Sequence, residues 1–314
     1  MANNTRTGEF RANVVMNTQH IAALGERQDR QRFELSSAML LSLPGGLLFF
    51  LFIGPVVYAL YLGFTNLELI GPHARRWWFT GLVNPIRLVH DPVFFLSVKL
   101  TLLFVVGSGL VGQTVVGLGL ALLMRQSLPA IRLSVGAIVV AAWVIPEVSA
   151  AFVWYAFSQA GGTLGFILGS PHRNFLFSAP MAIVSTANLW RGAAFSMLIF
   201  SAALRNVPNE VLEAADVEGA SRFRRLWSIT LPMLRPTIVT NLLLVTILNL
   251  SDFTLIYTLT QGGPGNSTMT LPIYIYQEAF GYYQLGYGTT ISLVLIFIGS
   301  LLSFLFVRNS RPAT

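Results

Sequence analysis

The chain has 314 residues, of which 54% are hydrophobic and only 11% charged, with a formal net charge of +7 and a mean hydropathy of +0.65. That is too apolar for an ordinary soluble domain and predicts several membrane spans. Cysteine is absent, which excludes disulfides, thiol catalysis, zinc fingers and iron–sulfur clusters. The four histidines are isolated, with no metal-ligand spacing. The basic residues lie scattered between apolar runs and form no nucleic-acid face.

Residues 1–37 are polar, with Arg6, Arg11, Arg27, Arg30 and Arg32, and no short apolar core followed by a small-residue cleavage site. They are expected to form a cytoplasmic tail, either disordered or lying on the membrane through its arginines. Six apolar runs follow in a domain over 38–308. They lie near Ala38–Phe64, Leu100–Met124, Leu133–Phe157, Phe177–Leu204, Thr237–Thr260 and Thr289–Val307. Each is long enough to span, since a hydrocarbon core of about 30 Å needs roughly 20 helical residues. None alternates as a barrel strand does, so the expected class is an all-α membrane protein with six transmembrane helices. Residues 309–314 form a second short tail. Arginines gather in the N-terminal tail, around Arg125 and Arg132, in the stretch from Arg205 to Arg235, and at Arg308 and Arg311. The positive-inside rule then places both termini and residues 205–236 in the cytoplasm.

The second span is rich in glycine. Ser108/Gly112 and Gly117/Ala121 have the small-xxx-small spacing that lets helix backbones approach. The only lysine is Lys99, so no Gly-Lys-Ser/Thr phosphate loop exists and any ATP must be hydrolysed by another chain. The loop 66–94, with Trp77, Trp78 and Phe79, is assigned to the outside, as is the glycine-rich 158–175. The third outside loop, 261–288, carries Tyr274, Tyr276, Phe280, Tyr282, Tyr283 and Tyr287. Interfacial anchoring explains most of these rings, and contact with an external binding protein is the alternative.

Glu147, Arg191 and Asp252 are the ionisable groups inside the spans, one each on the third, fourth and fifth. Each costs about 2.5–3.5 kcal/mol at a lipid-facing helix centre on insertion scales, so they are expected to face the bundle interior. Two readings are open: an ion pair that orders the bundle, with Arg191 facing either acid, or the wall of a polar substrate site. Asn188 near Arg191, Asn249 near Asp252, and Trp143 one turn before Glu147 favour the second. Each asparagine alone is also explained by a helix–helix hydrogen bond. Pro146 removes a backbone donor beside Glu147 and predicts a kink.

One long polar segment interrupts the greasy chain, from Val207 to Pro236. Pro208 suits a helix start, Glu210 and Glu213 suit the positive end of its dipole, and Gly219 can end it. A second amphipathic helix is predicted from Ser221, with Phe223, Leu226 and Trp227 on one side and Pro232 and Pro236 marking its end. The pattern alone permits either a docking element or a surface loop without a partner. The residues Glu213-Ala214-Ala215, then Gly219-Ala220, then Ile229-Thr230-Leu231-Pro232 closely resemble the EAA loop of ABC importer permeases. The resemblance implies a type I permease fold with a cytoplasmic coupling helix that seats in an ATPase subunit. The coupling residues would be Glu213, Ala214, Ala215, Asp216, Gly219, Ala220 and Pro232.

The stretch from Asp252 through Gly262-Gly263-Pro264 to Thr268, Tyr274, Tyr276 and Phe280 is similar to sugar importers of the maltose-permease group. More narrowly it resembles the first permease of heterodimeric pairs serving oligosaccharides, trehalose or glycerol-3-phosphate. This resemblance covers roughly residues 38–308. It implies a substrate pathway at Trp143, Glu147, Asn188, Arg191, Gly192, Asn249 and Asp252. The maltose permease has uncharged residues where this chain has Glu147, Arg191 and Asp252, which fits a charged or amino-bearing sugar or a pocket whose charges cancel. The implied partners are a second permease, two ATPase subunits carrying ATP and magnesium, a solute-binding protein outside the bacterial inner membrane, and lipid. The chain itself is expected to hold no cofactor or metal and to perform no bond chemistry. The rival readings are a permease for a non-sugar solute such as polyamine or phosphate, a stand-alone channel or secondary transporter, and a membrane enzyme. The last has no catalytic constellation to support it.

Overall fold

The computed structural model describes Ser42 and residues 44–310. The expected tails 1–37 and 311–314, and the expected start of the first span at Ala38, lie outside the described residues. Described residues are helical, with one isolated bridge between Thr65 and Phe79. Helix α1 runs Pro44–Leu62 and carries the boundary between two units, Met1–Ala59 and Leu60–Thr314. The second unit holds everything described below.

Helix α2 runs Pro92–Gln126, 35 residues, and so starts a full two turns before the apolar run does. Its start is set by Asp91, whose carboxylate accepts from the backbone N–H of Val93 at 2.9 Å and of Phe94 at 3.4 Å. Proline follows at the first helical position. The polar Ser97, Thr101 and Lys99 hid this portion from a hydropathy reading, yet Ser97 and Thr101 are buried and the Thr101 hydroxyl bonds back to Ser97 O at 2.7 Å. Over Val105–Gln113 the winding widens to π-type turns, the kind of bulge that occurs mostly at functional sites.

The expected third span is broken. Helix α3 (Pro129–Val144) and helix α4 (Glu147–Ser158) meet at 102° across Ile145 and Pro146. Pro146 has no N–H to continue α3 and restricts the residue before it to extended conformation. Helix α5 (Pro180–Arg205) follows, close to the expected fourth span. It packs hard against α2: a Cβ on Gly117 would fall 2.4 Å from Ser196 Cβ. Gly112 and Gly117 of the second span, whose Cβ positions fall on Leu189 and Ser196, therefore serve a contact inside this chain.

Helix α6 (Asn209–Val217) ends at Gly219, whose φ is 75°. Helix α7 then runs from Arg222 to Leu250 without interruption, 29 residues. Two expectations fail here. Pro232 and Pro236 do not end a short helix, and the fifth span does not continue to Thr260. A π-type turn at Leu226–Thr230 opens the ladder just before Pro232, which gives the ring room where a straight α-helix would clash. At the other end the chain leaves the helix at Ser251, and a separate helix α8 (Thr254–Thr260) begins three residues on.

After α8, Gln261 and Gly262 take positive φ of 52° and 88°, and the Gly263–Pro264 bond is cis. The Thr268 hydroxyl closes this turn on Gly263 O at 3.1 Å. Helix α9 (Leu271–Tyr276) and helix α10 (Leu285–Ser310) complete the fold. Five described helices are long and apolar enough to cross a membrane, and the bent α3/α4 pair makes a sixth.

Two apolar cores hold the bundle. One lies around the start of α2, with Phe104, Ile183, Leu255, Ile256, Leu271 and Ile291. The other lies near the end of α2, with Ala121, Met197, Phe200, Leu204 and Leu234. Large apolar side chains such as Leu103, Val115, Leu123, Ile138 and Phe297 point outward, which lipid tolerates and water would not.

Candidate functional site

Along α2, Gln113 sits between the two apolar cores, and a cavity of about 490 Å³ opens beside it. Trp143, Glu147, Asn188, Arg191, Gly192, Asn249 and Asp252 all line it, together with Gln113, Phe195, Ser251 and Thr254. Six helices and two chain breaks make this possible. Glu147 opens α4 directly after the 102° bend, and Asp252 lies in the break between α7 and α8. Side chains that an unbroken helix would spread around its circumference are thereby brought to one wall.

Of the two acids that faced Arg191 in prospect, Glu147 is its partner. Arg191 Nη1 donates to Glu147 Oε1 at 2.9 Å, with the side chains 17% and 38% exposed. Asp252 forms no ion pair among the described residues, and its Oδ1 is buried without a hydrogen-bond partner. Arg191 Nε is buried and unpartnered as well.

Behind the charges lies an amide network. Asn188 Nδ2 donates to Asn249 Oδ1 and, at 2.8 Å, to Ser108 Oγ. Gln113 Nε2 donates to Asn188 O at 3.2 Å and to Asn249 Oδ1 at 3.3 Å. Asn249 Nδ2 also bonds Val245 O at 2.7 Å. The two asparagines thus both cross-link helices and face the cavity. Trp143 is half-exposed, its ring centroid 5.8 Å from that of Phe195. Gln113 was not singled out from sequence. Its only signal there was a lone amide in an apolar, glycine-rich helix.

The polar segment 207–236 lies at the Arg125 end of α2, where Arg125 Nη2 donates to Asn209 Oδ1 at 3.3 Å. Ala215 is buried, while Glu213, Ala214, Asp216, Gly219 and Pro232 are exposed and Ala220 is partly so. Asp216 pairs with Arg225, which ties α6 to the first turn of α7. Ala220 N closes on Ala215 O at 2.9 Å. Phe223 and Trp227 are exposed, their centroids 5.9 Å apart.

The opposite end of α2 holds a third cluster. Asp91 accepts from the hydroxyls of Tyr274 and, at 2.5 Å, Tyr287. Arg87 lies 3.9 Å from the centre of the Tyr287 ring and 3.8 Å from Glu278 Oε2. Burial raises the Asp91 carboxyl, but the hydrogen bonds from the two tyrosines and from Val93 and Phe94 outweigh it and hold the group below its usual range. Burial pushes Glu278 upward, against the opposing Arg87. Tyr274 and Tyr287 are buried, so interfacial anchoring does not describe them. Phe280, Tyr282 and Tyr283 are exposed.

A family model described as "Binding-protein-dependent transport system inner membrane component" matches residues 92–313. The chain is 32% identical over 288 residues to the sulfoquinovosyl glycerol transport system permease protein of Agrobacterium fabrum, covering 87% of this chain and 90% of the relative. It is 36% identical over 238 residues to the trehalose/maltose transport system permease protein of Thermococcus litoralis, covering 73% and 78%. Among solved structures, a bacterial ABC transporter involved in import of the acidic polysaccharide alginate aligns with a TM-score of 0.71 at 23% identity, over 91% of this chain and 98% of that one. At that identity the likeness is one of fold.

Proposed function

The chain belongs to the inner membrane components of binding-protein-dependent transport systems, and from that premise we propose that it forms half of the translocation pathway of an ATP-driven sugar importer. The observation that carries this reading is the cavity. Polar side chains from α3, α4, α5 and the end of α7 converge on it, beside two breaks in the spans. The names of the relatives support sugar as the solute class over polyamine or phosphate. They leave its charge open, since sulfoquinovosyl glycerol is acidic and trehalose and maltose are not.

In this reading the chain pairs with a second permease, and two ATPase subunits bind ATP and magnesium. A solute-binding protein delivers the sugar from outside, and both termini and the 205–236 loop are cytoplasmic. Glu213, Ala214, Ala215, Asp216, Gly219, Ala220 and Pro232 couple to the ATPase. Helix α7 supplies the mechanical route. It begins in the coupling segment and ends one residue past Asn249, about 44 Å away at 1.5 Å per residue. Movement of α6 passes through the Asp216–Arg225 pair to α7 and so to the Asn249–Asp252 wall. Alternating access then amounts to shifting that wall against α2 and α5.

The test is sugar uptake by the complex in proteoliposomes with binding protein and internal ATP. ATP-dependent accumulation of a sugar is expected. Uptake by this chain without ATPase subunits would favour a channel or secondary transporter.

A further inference from the structure

The cavity's unpaired groups bear on the charge of the solute, an inference that rests on the importer reading above. Its lining carries Glu147, Arg191 and Asp252, and every other lining residue is uncharged. The Arg191 guanidinium is engaged by Glu147 at 2.9 Å. The Asp252 carboxylate is left as an excess, with Oδ1 buried and unpartnered. The backbone N–H of Leu255 bonds the carboxylate, but no side chain among the described residues reaches Oδ1. The amides of Gln113, Asn188 and Asn249 are engaged with one another, with Ser108 and with backbone carbonyls. A buried acceptor of this kind is costly until a donor reaches it. The unpartnered Arg191 Nε is its complement, a buried donor on the same wall.

A sugar hydroxyl both donates and accepts, so one hydroxyl can satisfy Asp252 Oδ1 while another satisfies Arg191 Nε. An acidic sugar adds a negative charge to a cavity with two carboxylates whose one cation, Arg191, is already engaged by Glu147, and like charges juxtaposed in a desolvated site repel strongly. We propose that this cavity takes a sugar bearing no negative charge, with Asp252 receiving a hydroxyl of the ligand, and that Asp252 discriminates against acidic sugars.

The test is equilibrium binding to the purified, fully assembled complex without binding protein, so that charges contributed by a second permease are included. The probes are neutral mono- and disaccharides, trehalose and maltose among them, each paired with its C6 carboxylate. Neutral members are expected to bind about tenfold or more tightly than their carboxylates, the factor that about 1.4 kcal/mol of repulsion produces. In Asp252→Asn the ratio is expected to fall below about threefold. Asp252→Ser serves the same purpose if the amide variant fails to assemble, as judged by size-exclusion chromatography. Carboxylates binding as well as the neutral sugars, or a ratio unchanged in both variants, would overturn the assignment while leaving sugar import intact. If no sugar of either charge binds and another solute class does, the sugar reading itself fails, and this inference with it.

Discussion

Gly192 leaves the space that the side chain of Gln113 fills. A Cβ on Gly192 would lie 2.1 Å from Gln113 Cδ, so the amide network between α2, α5 and α7 depends on a missing side chain one helix away. Gly192→Ala is therefore expected to displace Gln113 and free the Asn249 amide. Overpacking of this kind costs about 1–3 kcal/mol, readable as a lowered thermal midpoint of the purified complex. Sugar binding should weaken in parallel. Gln113→Ala combined with Gly192→Ala should recover part of the midpoint, and no recovery would mean that the two side chains do not compete for the same space.

The Arg191–Glu147 pair separates an ordering role from a binding role. Arg191→Leu leaves Glu147 without a partner. Stripping one member of a fully buried pair costs about 3–5 kcal/mol, and the 38% exposure of Glu147 makes the loss here smaller. The complex is expected to assemble with weakened uptake. The double variant Glu147→Gln with Arg191→Gln should restore part of that stability, because neither member of the pair is left charged without the other. Uptake that returns along with stability would mean that the pair only orders the bundle. Uptake that stays low would mean that it contacts solute.

Gly219 tests the coupling segment. Its φ is 75°, and a Cβ there would meet nothing within 4 Å. The cost of a side chain is thus backbone strain alone, about 1–2 kcal/mol for most residues and less for asparagine, which tolerates this region. Gly219→Asn should keep uptake coupled to ATP hydrolysis, and Gly219→Val should hydrolyse ATP while accumulating little sugar. Equal coupling in both variants would detach this turn from the transmission of force.

Asp91 sets an acid limit at the far end of α2. Its carboxyl is held below the ordinary range by the Tyr274, Tyr287 and backbone donors, against burial. A lowered pKa contributes stability that is present above the unfolded carboxylate value, about 3.9, and is lost as pH falls through the native value. Thermal midpoints should therefore drop on acidification below about pH 4, and Asp91→Asn should flatten that limb while lowering the midpoint at neutral pH. Tyr274→Phe and Tyr287→Phe should each remove part of the slope. Glu278, shifted the other way by burial, opposes the effect and is best replaced by Gln in the same background.

Much of this architecture was legible in the chain. Apolar runs mark the spans and arginines their expected orientation, because the transfer cost of a segment is close to a sum over its own residues. Gly219 ends α6, and Pro146 breaks the third span, because each acts on its own backbone. The residues that line the cavity could be grouped in advance because the resemblance to the maltose-permease group implied them, and the charges among them have few places to go in lipid. Other features depended on distant neighbours. Lys99 and Ser97 masked the first turns of α2, which burial and the Asp91 cap stabilise. Pro232 and Pro236 were read as helix ends, although a wide turn at Leu226–Thr230 carries α7 past Pro232.

Composition and local pattern thus determined the class of protein, the number of apolar spans and the charges that must turn inward, because hydropathy and backbone restriction are properties of short stretches. Tertiary structure alone decided that Arg191 faces Glu147 and leaves Asp252 unpaired, that Gln113 rests on Gly192, and that Tyr274 and Tyr287 turn inward to Asp91. Those choices follow from which helix faces meet and how closely, and no stretch of the chain carries that information by itself.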